Sequence, residues 1–204
     1  TEESIRETRR WLEGCRRFRF VRPIITPRFT PACTDELMTA LGKIATEQNL
    51  CVQSHLSENL DEIAWVRSLH PDCAQYWESY DKFGLWKSHT VMAHCIHSDE
   101  RERTAIREAG VVVAHCPDSN INLCSGIAPV REMLNEGIHV TLGTDIAAGS
   151  SLAGSRMVTM SIQASKVRSF TDPAHPAFLT VPEAYYLGTT SGHRYFGAGS
   201  GFTP

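Results

Sequence analysis

Five short apolar runs, rich in β-branched residues, set the limits on what this chain folds into. They cover 20–26, 50–55, 90–94, 111–115 and 139–145. Longer amphipathic stretches alternate with them. Thr34-Asp35-Glu36 offers an N-cap, and Leu37, Leu41, Ile44 and Ala45 follow as an apolar stripe. Ser57 opens a second helix, with Leu60, Ile63, Ala64 and Val66 near its apolar face. Ser98-Asp99-Glu100-Arg101 opens a third that closes at Gly110, and Pro129-Val130-Arg131-Glu132 opens a fourth that closes at Gly137. Two more helical stretches follow, near 152–167 and 182–188.

Strand then helix, repeated, predicts a parallel sheet of βαβ units. The runs are continuously apolar, as strands buried on both faces require. Periodicity alone allows an open doubly wound sheet or a (β/α)8 barrel. The strand ends favour the barrel. Each run closes on, or just before, a polar residue: Arg28, His55, His94, His115 and Asp145. An open sheet gathers its site at one switch point, whereas a barrel collects functional residues from many strand ends on one rim. A full barrel has eight units in ~250 residues, and this chain has 204 residues and five visible units. The expectation is a TIM-type barrel with about the last five βα units present, forming a single domain over 1–204. The start, which reads as mid-helix, and the close at 199–204 both read as cuts in a longer pattern.

Composition enters mainly by exclusion. A net charge of −3 gives no nucleic-acid footprint. The cluster Arg6, Arg9, Arg10, Arg16, Arg17 and Arg19 reads as a solvated helix face. No apolar run is long enough to span a bilayer. The seven cysteines form no Cys-x-x-Cys pair, which argues against a disulfide framework and for a reducing, cytoplasmic setting.

The chemistry concentrates at Gln53-Ser54-His55-Leu56-Ser57-Glu58-Asn59. A histidine closes a strand there, and a glutamate stands three residues on. A zinc hydrolase needs that pair, a metal ligand beside a proton carrier. Taken singly, His55 and His94 read as structural histidines and Asp145 as a helix cap. Together they place nitrogen and oxygen donors, the types zinc accepts, at the ends of strands in one sheet.

Longer motifs then carry a resemblance. Val113-Ala114-His115-Cys116-Pro117-Asp118-Ser119-Asn120, with Leu123-Cys124-Ser125-Gly126 behind it, is similar to a loop of the mononuclear deaminase branch of the amidohydrolase superfamily. Within that branch, the guanine deaminase family is resembled more closely. Thr26-Pro27-Arg28-Phe29-Thr30, Gln53 to Asn59, Tyr80-Asp81-Lys82, Val91-Met92-Ala93-His94 and Leu142-Gly143-Thr144-Asp145 match its segments in order.

The resemblance implies a zinc-dependent hydrolysis of guanine to xanthine and ammonia, in purine catabolism. It implies one zinc per site with His55 and Asp145 as metal ligands. Asp145 would also orient or deprotonate the attacking water. Glu58 would carry protons, and His94 would stabilise the developing oxygen charge. Arg28 would bind the purine and Phe29 stack on it. Asn120 and Ser119 could line the pocket, although in a tight turn such residues more often bond the local backbone. A homodimer is implied too, with no nucleic-acid or membrane partner. The family's other two zinc ligands form a His-x-His pair on the first barrel strand, and the chain contains no His-x-His. The expectation is therefore part of a barrel, without its first strands and flanking β-sandwich, and without activity by itself. The alternatives are another aminated or chlorinated heterocycle as substrate, or an inactive form that acts only by association.

Overall fold

In the computed structural model, residues 1–171 and 177–196 are described. The close at 199–204 lies outside them. Helix α1 (Glu2–Cys15) is amphipathic and buries Leu12 and Cys15. The Arg6, Arg9, Arg10, Arg16, Arg17 and Arg19 positions are exposed, as a solvated face requires. The five strands are β1 (Ile24–Ile25), β2 (Cys51–Leu56), β3 (Thr90–His94), β4 (Val112–His115) and β5 (Val140–Leu142).

All four strand pairings are parallel, and the spatial order is β1-β2-β3-β4-β5. This order decides between the two candidate architectures. A doubly wound sheet reverses direction at a switch point, and here each strand lies beside its successor. Sequential parallel strands are the arrangement of a barrel wall.

The helices form where caps and apolar spacing dictate. Thr34 caps α2 (Asp35–Glu47), its hydroxyl accepting from the Leu37 N–H. Met38, Leu41, Ile44 and Ala45 turn inward. Gly42 lets this helix approach the Phe83 carbonyl so closely that a Cβ would lie 1.7 Å from that oxygen. Asp99 caps α5 (Glu100–Ala109), which ends at Gly110 in the left-handed region. The remaining helices are α3 (Leu60–Leu69), α4 (Glu78–Asp81), α6 (Pro117–Asn122), α7 (Val130–Asn135), α8 (Gly154–Thr171), α9 (Val181–Leu187) and α10 (Thr190–Phe196). Among the described residues no helix is long and apolar enough to cross a membrane.

Four local expectations change. The first strand shrinks from 20–26 to two residues, and Phe20 is 89% exposed. Pro23 and Pro27 flank the pair and cannot donate to a ladder. Ser57 does not open α3. Asn59 caps it through a reciprocal capping box with Glu62, while Ser57 sits at φ 48° and donates to the buried Glu102 carboxylate at 2.6 Å. Leu60, placed at the N-terminus of α3, is exposed instead of lying near its apolar face. The Pro117 segment forms a short helix where a tight turn was expected.

Candidate active site

The site is built where β2, β3 and β5 run out. Backbone in the left-handed region occurs at Ser57 (φ 48°), His94 (φ 74°), Cys95 (φ 49°) and Asp145 (φ 45°). Such conformations are uncommon for residues other than glycine and cost ~1–3 kcal/mol each. They persist because neighbouring segments hold them. The Cys95 N–H donates to the Leu56 carbonyl at 2.9 Å, His97 N–H to Ser57 at 3.0 Å, and Gly149 N–H to Asp145 at 2.7 Å.

This backbone brings four of the expected residues together. The His55 and His94 rings stack with centroids 5.1 Å apart and planes 16° from parallel. His55 Nδ1 donates to the Arg28 carbonyl, which fixes the proton on Nδ1 and leaves the Nε2 lone pair for another partner. His94 is 1% exposed, and its Nδ1 donates to Asn120 Oδ1 at 2.8 Å. His94 Nε2 is buried without a hydrogen bond. It faces two carboxylates, Glu58 Oε2 at 3.7 Å and Asp145 Oδ2 at 3.9 Å. Glu58 Oε1 accepts from Ser125 Oγ at 3.1 Å, and Asp145 Oδ2 accepts from Ser119 Oγ.

Arg28 and Phe29 border this group on the β1 side. The Arg28 guanidinium lies 5.6 Å from the centre of the Phe29 ring. Phe29 presents an edge-to-face contact to His55 at 6.3 Å and another to Trp65 at 6.2 Å. His115, the other strand-end histidine, makes no hydrogen bond to these residues. It is buried at the end of β4, and burial, aided by the nearby His94, lowers its pKa to about 4, so it is neutral.

Sequence reasoning undervalued the supporting shell. Ser119 and Asn120, which could line the pocket or bond local backbone, reach Asp145 and His94 through side-chain hydrogen bonds. Ser125, within the Leu123 to Gly126 motif, touches Glu58. Tyr80, in the Tyr80-Asp81-Lys82 segment that carries part of the resemblance, has a structural place. Its fully buried hydroxyl donates to the His55 carbonyl at 2.7 Å, pairs with Ser54 Oγ at 2.9 Å and accepts from the Thr30 N–H at 3.3 Å. Burial raises this phenol to about 12, so it stays protonated. Tyr80→Phe should cost roughly 1–3 kcal/mol and lower Tm by about 2–12 °C, because buried partners lose their bond. Thermal unfolding of the variant checks this, and an unchanged Tm would refute it. Lys82, from the same segment, bonds His70 at 2.8 Å and Asp72 at 3.2 Å.

His55 and Asp145 supply nitrogen and oxygen donors of the types zinc accepts. Among the described residues, however, no group of three or more His, Cys, Asp or Glu side chains converges closely enough to hold a metal. The described residues therefore offer a donor set of the right chemistry with too few members.

The comparisons with known proteins agree with the fold. Guanine deaminase from Dictyostelium discoideum is 41% identical over 196 residues, covering 95% of this chain and 43% of the relative. A crystal structure of guanine deaminase from C. acetobutylicum with guanine bound in its active site superposes with a TM-score of 0.94 at 45% identity, covering 98% of this chain and 48% of that one. An adenosine deaminase from Xanthomonas campestris with bound zinc shares the fold at a TM-score of 0.80 and 20% identity, covering 90% and 40%. The chain thus spans less than half the length of these relatives. The profile described as "Amidohydrolase family" matches residues 1–201, and the chain belongs to that family.

Proposed function

We propose that this chain supplies the proton-handling half, and two of the metal ligands, of a guanine deaminase active site. The observation that carries the reading is the convergence of His55, Glu58, His94 and Asp145 at the C-terminal ends of sequential parallel strands. The overall reaction is guanine plus water giving xanthine plus ammonia. His55 through Nε2 and Asp145 through its carboxylate would hold zinc. When bound, zinc acts as a Lewis acid that makes water reactive near neutral pH.

Each residue then has one task. Arg28 binds the substrate: guanine presents two adjacent acceptors, O6 and N7, and a guanidinium fork matches such a pair. Phe29, edge-on to His55, supplies an apolar face for the purine. Asp145 orients the attacking water and accepts a proton from it. Glu58 takes the first proton of the attacking water and delivers it to a purine ring nitrogen, and it then relays the second, accepted by Asp145, to the amino group on C2, which leaves as ammonia. His94, doubly protonated with its Nδ1–H on Asn120, would donate from Nε2 to the charge that develops on oxygen at C2, a role Nε2 suits by having no protein hydrogen bond.

All seven cysteines are free, which supports a reducing, cytoplasmic setting for this step of purine catabolism. A homodimer is the assembly suggested by the family resemblance, and light scattering measures it. The substrate assignment is tested with zinc-loaded protein in which this chain is joined to a His-x-His-bearing half barrel. Xanthine and ammonia should form from guanine. Preferred turnover of a chlorinated or other aminated heterocycle would overturn the assignment.

The Arg28 role has its own test. Arg28→Ala should raise KM for guanine ~10–100-fold, the value of one bidentate pair, and relax the preference among purines. Zinc content should stay at the parent level. A parallel loss of zinc would make Arg28 structural.

A further inference from the structure

We propose that residues 117–126 form one positioning scaffold for the site, with Ser119, Asn120 and Ser125 as positioning residues for Asp145, His94 and Glu58. The inference rests on the deaminase reading above and extends it to residues that act through Asp145, His94 and Glu58.

Three separate hydrogen bonds define the scaffold. Ser119 Oγ donates to Asp145 Oδ2, Asn120 Oδ1 accepts from His94 Nδ1 at 2.8 Å, and Ser125 Oγ donates to Glu58 Oε1 at 3.1 Å. The three targets come from different places in the chain, the ends of β5, β3 and β2. All three scaffold side chains are buried. Buried polar groups of this kind ordinarily bond nearby backbone. Here each reaches a chemistry-bearing residue 26 or 67 positions away.

The segment itself is tied down. Pro117 opens α6. Asp118 Oδ2 accepts from the Ser150 N–H at 2.7 Å and its hydroxyl at 2.6 Å, and Arg156 lies 3.6 Å from the other oxygen. These contacts fasten α6 to the loop after β5. At the other end, His97 Nε2 bonds the Ser125 carbonyl at 2.9 Å, while the Ser125 N–H returns to the Asn120 carbonyl at 2.9 Å. His97 N–H also holds the Ser57 carbonyl, next to Glu58. One short segment thus fixes the relative placement of three groups on three strands.

Each bond has a chemical consequence. Ser125 engages Glu58 Oε1 and leaves Oε2 toward His94. Asn120 accepts from His94 Nδ1 and so turns Nε2 toward both carboxylates, where a second proton on the ring would be held. Ser119 occupies one lone pair of Asp145 and holds the carboxylate in place. Misplacing reacting groups by ~1 Å can cost ~10²-fold in rate, so these bonds should register in turnover.

The test uses the zinc-loaded joined protein, with Glu58→Gln as the control. Ser125→Ala and Asn120→Ala should keep zinc content and KM for guanine and lower Tm by no more than the few degrees one buried hydrogen bond is worth, while kcat falls ~10–100-fold. Ser125→Thr, which keeps the hydroxyl, should recover most of the loss. Ser119→Ala should weaken zinc ~10–100-fold in a chelator competition that does not depend on activity. The scaffold assignment is overturned by turnover within twofold of the parent in Ser125→Ala and Asn120→Ala. It is equally overturned if kcat, KM, zinc and Tm collapse together, or if Ser125→Ala fails to fold, since the segment would then be merely structural. If Glu58→Gln itself retains turnover, the deaminase assignment of Glu58 fails, and that outcome is distinct from a failure of the scaffold alone.

Discussion

Glu58→Gln is expected to hold zinc and guanine like the parent and to lose ~10²–10⁴-fold in kcat, the usual value of general acid–base catalysis. Geometry motivates the split. Glu58 stands three residues past His55, one oxygen held by Ser125 at 3.1 Å and the other facing His94 Nε2 at 3.7 Å. It is therefore tied into the proton-handling side of the site, and the amide of glutamine can preserve those contacts. What the amide cannot do is accept and return a proton at neutral pH. Single-turnover kinetics with guanine, beside zinc analysis, separates chemistry from binding. A Glu58→Gln enzyme within a few-fold of the parent would remove Glu58 from this role. A variant that loses zinc in proportion to activity would make Glu58 a ligand.

The strand pattern was legible because a buried parallel strand leaves a local mark, an apolar run closed by a polar residue. The runs ending at His94 and His115 coincide with β3 and β4. The errors have equally local causes. The apolar content of 20–26 masks Pro23 and Pro27, which restrict pairing to Ile24 and Ile25. Ser57 and Asn59 are both cap-type residues two positions apart. Only Asn59 has a glutamate three residues on, and that capping box decided the helix start. The six residues of α6 carry no apolar stripe, and four of them, Pro117 to Asn120, are buried for the contacts their side chains make. No periodicity announces such a helix. The juxtaposition of His55, Glu58, His94 and Asp145 followed from the barrel argument once the strand ends were placed. The bonds from Ser119, Asn120 and Ser125 span 26 to 67 residues and depend on the folded loops, so no pattern within one element could reveal them.

Residues 1–204 by themselves are expected to bind zinc weakly and to release no measurable xanthine. A catalytic zinc site takes three or four protein ligands and keeps one position open. His55 and Asp145 provide two donors, and His94 Nδ1 is committed to Asn120 while its Nε2 faces two carboxylates. Among the described residues no third His, Cys, Asp or Glu joins them closely enough to complete a metal site, and the sequence contains no His-x-His. Two donors where a catalytic site takes three or four give low affinity and lack the geometry that would make a water acidic. The sheet adds a second fault. Within the described residues β1 and β5 each pair on one side only, so the rim they carry is not closed. A displacement of ~1 Å between Arg28 on one side and Asp145 on the other would cost ~10²-fold even with metal present. Native mass spectrometry after dialysis reads the zinc, and a xanthine-release assay reads the chemistry. Stoichiometric zinc with steady xanthine production from this chain alone would mean that another of its residues, or a second copy, completes the site, and the two-ligand reading would fall.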